Sequence, residues 1–172
     1  MPKGMIIFFA IVYPVCGIAL MLAYYIMKAT MNQTEPPLIL LVDDDASFLE
    51  ILSLKLSSEG FRIETAHDGK EGLARARELK PDLIILDMKM PNMDGGDVLQ
   101  AMHADPSIKD TKAIFLSGIV SADEKQFAID ERFAMDAGAL GCIRKTDDLS
   151  SIASHIEKYL GIIPTPPKPK MI

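Results

Sequence analysis

The sequence predicts an α/β fold: a doubly wound, five-stranded parallel sheet with helices on both faces. The first observation is a set of short apolar runs, of which Leu83-Ile84-Ile85-Leu86 is the purest. That run is too short for a helix and is bounded by Pro81-Asp82 and Pro91-Asn92. It reads as a strand buried on both faces, the mark of a parallel sheet. The second observation is that segments of helical apolar spacing separate these runs, so strands and helices alternate. Right-handed crossovers then place the helices on both sides of the sheet. In such sheets chemistry gathers at the carboxyl ends of the strands. Asp87 stands at one such end, although Asp is also a common opener of turns.

The elements follow in order. Residues 38–42 form an apolar strand that runs into Asp43, Asp44 and Asp45. A helix over 46–59 carries Leu49, Leu52 and Leu56 on one face and stops at Gly60. Residues 62–66 alternate weakly and read as a strand. A helix over 68–78 opens with Asp68 and Glu71 spaced as a capping box. After the strand at 83–86, a helix over 95–104 carries Val98, Leu99 and Met102. A strand at 113–116 ends in Ser117-Gly118, and a long helix over 122–137 is closed by Gly138. A short strand at 141–144 ends in Lys145. Asp147 is expected to cap a last helix with Leu149, Ile152, Ile156 and Leu160 along one face.

The chain has 172 residues, enough for one ordinary domain and an appendage. A net charge of −6 without a basic cluster argues against a nucleic-acid surface. Cys16 and Cys142 lie in unlike segments, and the three histidines lack metal-ligand spacing. Residues 5–27 form an uncharged apolar run flanked by Lys3 and Lys28, with Tyr24 and Tyr25 near one end. It is long enough to cross a bilayer, and the expected organisation is a transmembrane segment (1–28), a polar linker (29–37), the α/β domain (38–161) and a disordered Pro/Lys tail (162–172). Met31 is an alternative start that would leave the domain without the apolar segment.

The carboxyl ends of the strands bring together Asp43 and Asp44, Asp87, Ser117 and Lys145. If the first and third strands are neighbours, three carboxylates converge, and like charges so close need a counter-charge. Oxygen-only ligands with open water positions suit Mg²⁺. A metal, an ammonium and a hydroxyl around a carboxylate also make a phosphoryl site, with Asp87 as the nucleophile.

Val42-Asp43-Asp44-Asp45, the run Asp87-Met88-Lys89-Met90-Pro91-Asn92-Met93-Asp94-Gly95, Ser117-Gly118 and Lys145 together resemble the receiver domain of two-component response regulators, a flavodoxin-like fold. The resemblance implies phosphotransfer to Asp87 from a phosphohistidine on a sensor histidine kinase or a histidine phosphotransfer protein. It implies Mg²⁺ on Asp44, Asp87 and the Lys89 backbone carbonyl, with Asp43 acting mainly through bound water. Ser117 and Lys145 would hold the phosphoryl oxygens. Asp45 reads as a helix cap, and Pro91 and Gly95 as structural.

Three features depart from the family pattern. Cys142 occupies the switch position, which usually holds an aromatic residue. Thr146 follows Lys145 where Pro is usual. The stretch from Ser117 to Lys145 is longer than usual by nearly two helical turns. Lys89 and Ile119 offer no group to orient attacking water, which favours a long-lived phosphoryl group. The expected function is a phosphoacceptor receiver without an output domain, signalling to a downstream protein target and not itself an enzyme. A never-phosphorylated, membrane-tethered binding module is the alternative. The expected location is a single-pass membrane protein with the receiver in the cytoplasm.

Overall fold

A computed structural model of the protein describes residues 35–118 and 124–161. The chain divides between Glu35 and Pro36. Five strands alternate with five helices: β1 Leu38–Val42, α1 Ala46–Ser58, β2 Arg62–Ala66, α2 Gly69–Leu79, β3 Leu83–Asp87, α3 Gly95–Ala104, β4 Lys112–Ser117, α4 Glu124–Asp136, β5 Cys142–Arg144 and α5 Leu149–Leu160. The strands form one parallel sheet in the order β2-β1-β3-β4-β5.

The apolar runs explain this order. Every residue of β1 and β3 is buried, so these strands occupy the middle of the sheet. The mixed residues of β2 and the short β5 take the edges. Side chains alternate between two cores. Leu40, Val42, Ile84, Leu86 and Phe115 face α2, α3 and α4. Ile39, Leu41, Ile85, Ile114, Leu116 and Ile143 face Leu52 and Leu56 of α1 and Ile152 and Ile156 of α5. The period of two along each strand makes the two layers.

Aspartates start the helices. Asp45 accepts from the Ser47 and Phe48 amides at 3.0 and 3.1 Å. Asp68 accepts from Glu71 N at 2.8 Å, while Glu71 Oε2 accepts from His67 N at 2.8 Å, one residue earlier than in the ideal box. Asp94 caps α3 through Asp97 N at 2.9 Å. The cap of α5 is Asp148, not Asp147: it accepts from Ser150 N and Ser151 N. Asp147 instead closes the preceding turn, donating its amide to the Arg144 carbonyl at 3.2 Å. Gly138, at φ +94°, ends α4 as expected.

The expected transmembrane helix is corrected. Among the described residues no helix is long and apolar enough to cross a membrane. The fold is a five-stranded parallel α/β sheet, and residues 5–27 lie outside the described residues. The membrane partner and the single-pass membrane location rested on that helix alone and fall with it. Most of the linker, the tail at 162–172 and Ile119 also lie outside the described residues.

Candidate functional site

The strand order changes direction between β1 and β3, because β1 leads outward to β2 while β3 leads to β4 and β5. A crevice opens at such a point beyond the strands' carboxyl ends. Register then places each side chain. Val42 pairs with Leu86, so Asp43 follows beside Asp87. Asp87 pairs with Leu116, so Ser117 stands one residue beyond on the next strand. Ser117 pairs with Arg144, and Lys145 N donates to the Ser117 carbonyl at 2.9 Å.

The five expected site residues therefore meet at one edge. Asp43, Asp44 and Asp87 each offer a carboxylate oxygen within 4.8 Å of the others. Asp43 and Asp87 are buried at 1% and 4% exposure, while Asp44 is exposed. Lys145 Nζ lies 2.7 Å from Asp43 Oδ2 and 3.0 Å from Asp87 Oδ1. Asp44, Asp87, Met88, Lys89, Ser117, Gly118, Asp130 and Lys145 line a cleft of about 310 Å³. Gly95 brings α3 against this edge, since a Cβ there would overlap the Asp87 carbonyl and lie 2.8 Å from the Phe115 ring.

Electrostatics load the cluster. Burial pushes the Asp87 carboxyl above its ordinary value; the Lys145 hydrogen bond and charge oppose this, and Asp43 and Asp44 add repulsion. Burial also works against the Lys145 charge, but hydrogen bonds to Asp43 and Asp87 outweigh it and hold the ammonium above its usual range. One ammonium pairs with two of the three carboxylates, Asp43 and Asp87. Asp43 Oδ2 is buried and has no hydrogen-bond partner beyond its ion pair with Lys145 among the described residues. An all-oxygen trio with one ligand open to water and an excess of negative charge fits Mg²⁺.

Ser117 differs from expectation. Its hydroxyl donates to Asp130 Oδ2 at 2.8 Å, a carboxylate on α4 that is itself 8% exposed. Asp130 also accepts from Gln126 Nε2 at 3.1 Å. Sequence reasoning missed Asp130, and with it a carboxylate in the cleft beside Lys89. The expectation of a long-lived phosphoryl group rested on Lys89 and Ile119, and Asp130 is a further carboxylate lining that cleft. The usable signal was the α4 stripe Phe127, Asp130, Ala134, spaced as one inward face.

Cys142 is buried on β5 against the core that holds Phe115. Burial, with Asp130 and Glu131, pushes its thiol up to about 12, so it packs as an inert apolar group.

Comparison with known proteins agrees with this geometry. The family model described as response regulator receiver domain matches residues 39–157. The DNA-binding response regulator MtrA of Mycolicibacterium paratuberculosis is 37% identical over 122 residues, covering 71% of this chain and 50% of that protein. The DNA-binding dual master transcriptional regulator RpaA of Synechocystis is 32% identical, covering 70% of this chain and 55% of that protein. The chain thus spans about half the length of the curated relatives it matches. Among solved structures, the chemotaxis response regulator CheY4 of Vibrio cholerae superposes with a TM-score of 0.63 at 28% identity, covering 72% of this chain and 98% of that one. A response regulator from Desulfuromonas acetoxidans gives 0.63 at 27%, covering 72% and 96%. The acid trio and these matches correct the expectation that the chain is no enzyme. A buried carboxylate flanked by two acids and an ammonium is equipment for catalysing phosphoryl transfer.

Proposed function

The chain belongs to the response regulator receiver domain family, and from that premise we propose that it catalyses transfer of a phosphoryl group from a phosphohistidine onto its own Asp87. The observation that carries this reading is the convergence of Asp43, Asp44, Asp87 and Lys145 at one edge of the sheet. Asp87 Oδ1 is tied to Lys145, so Oδ2 attacks the phosphorus. An O–P bond forms as the P–N bond to the donor histidine breaks. The electron pair leaves on the imidazole nitrogen, which takes a proton from solvent. Lys145 holds Asp87 in place and offers positive charge to the phosphoryl oxygens, and Ser117 offers a hydroxyl.

Asp44, Asp87 and the Lys89 carbonyl would hold Mg²⁺, with Asp43 acting mainly through bound water; when bound it would supply positive charge against the trio and the transferring oxygens. The donor is a sensor histidine kinase or a histidine phosphotransfer protein, and the signal passes on to a protein target. Incubating the full chain with acetyl phosphate and Mg²⁺, followed by intact mass, tests the reading. The expected result is a gain of one phosphoryl group, absent in Asp87→Asn and in EDTA. No gain, or a gain that survives Asp87→Asn, overturns it.

A further inference from the structure

α4 is weakly seated. Among its described side chains only Asp130 and Ala134 are buried. Ile129 and Phe133 are 60% and 49% exposed, although the Phe133 ring tilts against Phe115 with centroids 6.3 Å apart. A helix with so little buried apolar surface belongs to the low-stability end of a fold. Beside the Arg144–Phe127 and Phe115–Phe133 contacts, the Asp130–Ser117 hydrogen bond is the polar tie of α4 to β4, and it reaches into the cleft that holds Asp87.

A hydroxyl carries one proton and donates one hydrogen bond at a time, and a carboxylate can only accept. Ser117 cannot donate to Asp130 and to a phosphoryl oxygen together. We propose that Asp130 is a positioning residue that latches α4 through Ser117, and that a phosphoryl group on Asp87 releases the latch by taking the Ser117 proton donor. This rests on the reading of Asp87 given above. Once the hydroxyl turns away, Asp130 keeps Gln126 but has lost a buried donor, and it faces a new anion across the cleft. Both effects drive the carboxylate, and α4 with it, away from the sheet. No proton is transferred; one hydrogen bond is exchanged for another.

The latch also opposes phosphorylation, because the hydroxyl must first leave Asp130. The test times acetyl phosphate labelling of the full chain in Mg²⁺ by intact mass. It compares wild type, Asp130→Ala, Ser117→Ala and the double variant. Amide hydrogen exchange of residues 124–136 is followed in each, before and after labelling. Asp130→Ala is expected to label about fivefold faster than wild type, and to label no faster when Ser117→Ala is also present. Its unphosphorylated α4 is expected to exchange as fast as α4 of the phosphorylated wild type. Asp130→Asn keeps the size and one acceptor, and should fall between; it stands in if Asp130→Ala fails to fold. An equal acceleration with and without Ser117→Ala overturns the latch, since Asp130 would then act through its charge alone. Unchanged α4 exchange in Asp130→Ala and Asp130→Asn overturns it as well. A wild type that takes up no phosphoryl group overturns the reading of Asp87 and the trigger with it, while the exchange comparison still judges the latch.

Discussion

Removing the Asp87 charge should stabilise this protein when metal is absent. Across 4.8 Å, the limit for the trio, Asp43 and Asp87 repel by about 3.5 kcal/mol at an effective dielectric constant of about 20. At 3.0 Å, Lys145 attracts Asp87 by about 5.5 kcal/mol on the same basis. Asp44 is exposed, and water screens most of its repulsion. Repulsion offsets all but about 2 kcal/mol of the attraction, so the cost of burying the Asp87 charge decides the sign. Burial is the largest influence on that carboxyl and holds it above its usual range. Asp87→Asn keeps the shape and an acceptor for Lys145 while removing the charge. The expected gain in EDTA is about 1–2 kcal/mol, or roughly 3–8 °C in Tm. Excess Mg²⁺ should stabilise wild type by mass action and the variant less, so the gap narrows or reverses. Thermal unfolding of the full chain by circular dichroism, in EDTA and in Mg²⁺, measures both. If Asp87→Asn melts below wild type in EDTA, the cluster carries no electrostatic load and the reasoning is wrong.

Gly95→Ala should cost about 1–3 kcal/mol by overpacking, because its Cβ would meet the Asp87 carbonyl and the Phe115 ring; urea unfolding reads this. The same shift of Asp87 should slow acetyl phosphate labelling by about tenfold or more. Lys80, exposed at φ +48° at the end of α2, holds a left-handed conformation, so Lys80→Gly should stabilise by about 0.5–1 kcal/mol in the same assay. Arg77, with Ser107, holds the Asp105 carboxyl down at about 2. A carboxyl depressed in the folded state adds stability above its unfolded value of 3.8, and that stability is lost as pH falls toward about 2. Asp105→Asn should therefore lower the midpoint slightly at neutral pH and match wild type near pH 2, as paired unfolding curves would show.

The buried strands were legible because their apolar runs had no other use. The apolar runs at 38–42 and 83–86 contain nothing that a solvent-facing segment needs, and both lie inside the sheet. The acid trio was legible because Asp43 and Asp87 directly follow such runs and Asp44 comes next to Asp43, and parallel register carries neighbouring run ends to the same edge. The α5 cap was misplaced by one residue because Asp147 and Asp148 are chemically identical neighbours. Only the turn back to Arg144 decides between them, by using the Asp147 amide. Asp130 was hidden for a different reason. It stands among Glu124, Glu131 and Asp136 on a mostly polar helix, where hydropathy cannot tell an inward acid from an outward one. Only the phase set by Phe127 and Ala134 points inward, and a charged residue on that face reads as an interruption rather than a site.

The same residues bear on how a phosphoryl signal leaves the sheet. An aromatic side chain at position 142 would sweep a large volume on changing rotamer, whereas the Cys142 thiol is small, buried and held protonated. Motion of that side chain cannot carry much. Arg144 is already engaged, its guanidinium carbon 4.0 Å over the Phe127 ring of α4. β5 and Ser117 therefore both lead to α4, one through Arg144 and Phe127 and the other through Asp130. With a small buried thiol at position 142, the helix that carries exposed Ile129 and Phe133 is the better placed of the two to move. One of its attachments to the active edge, Ser117 to Asp130, is an exchangeable hydrogen bond. A donor shared between a carboxylate and a phosphoryl oxygen is a two-state element by construction, which is what coupling between a site and a surface requires.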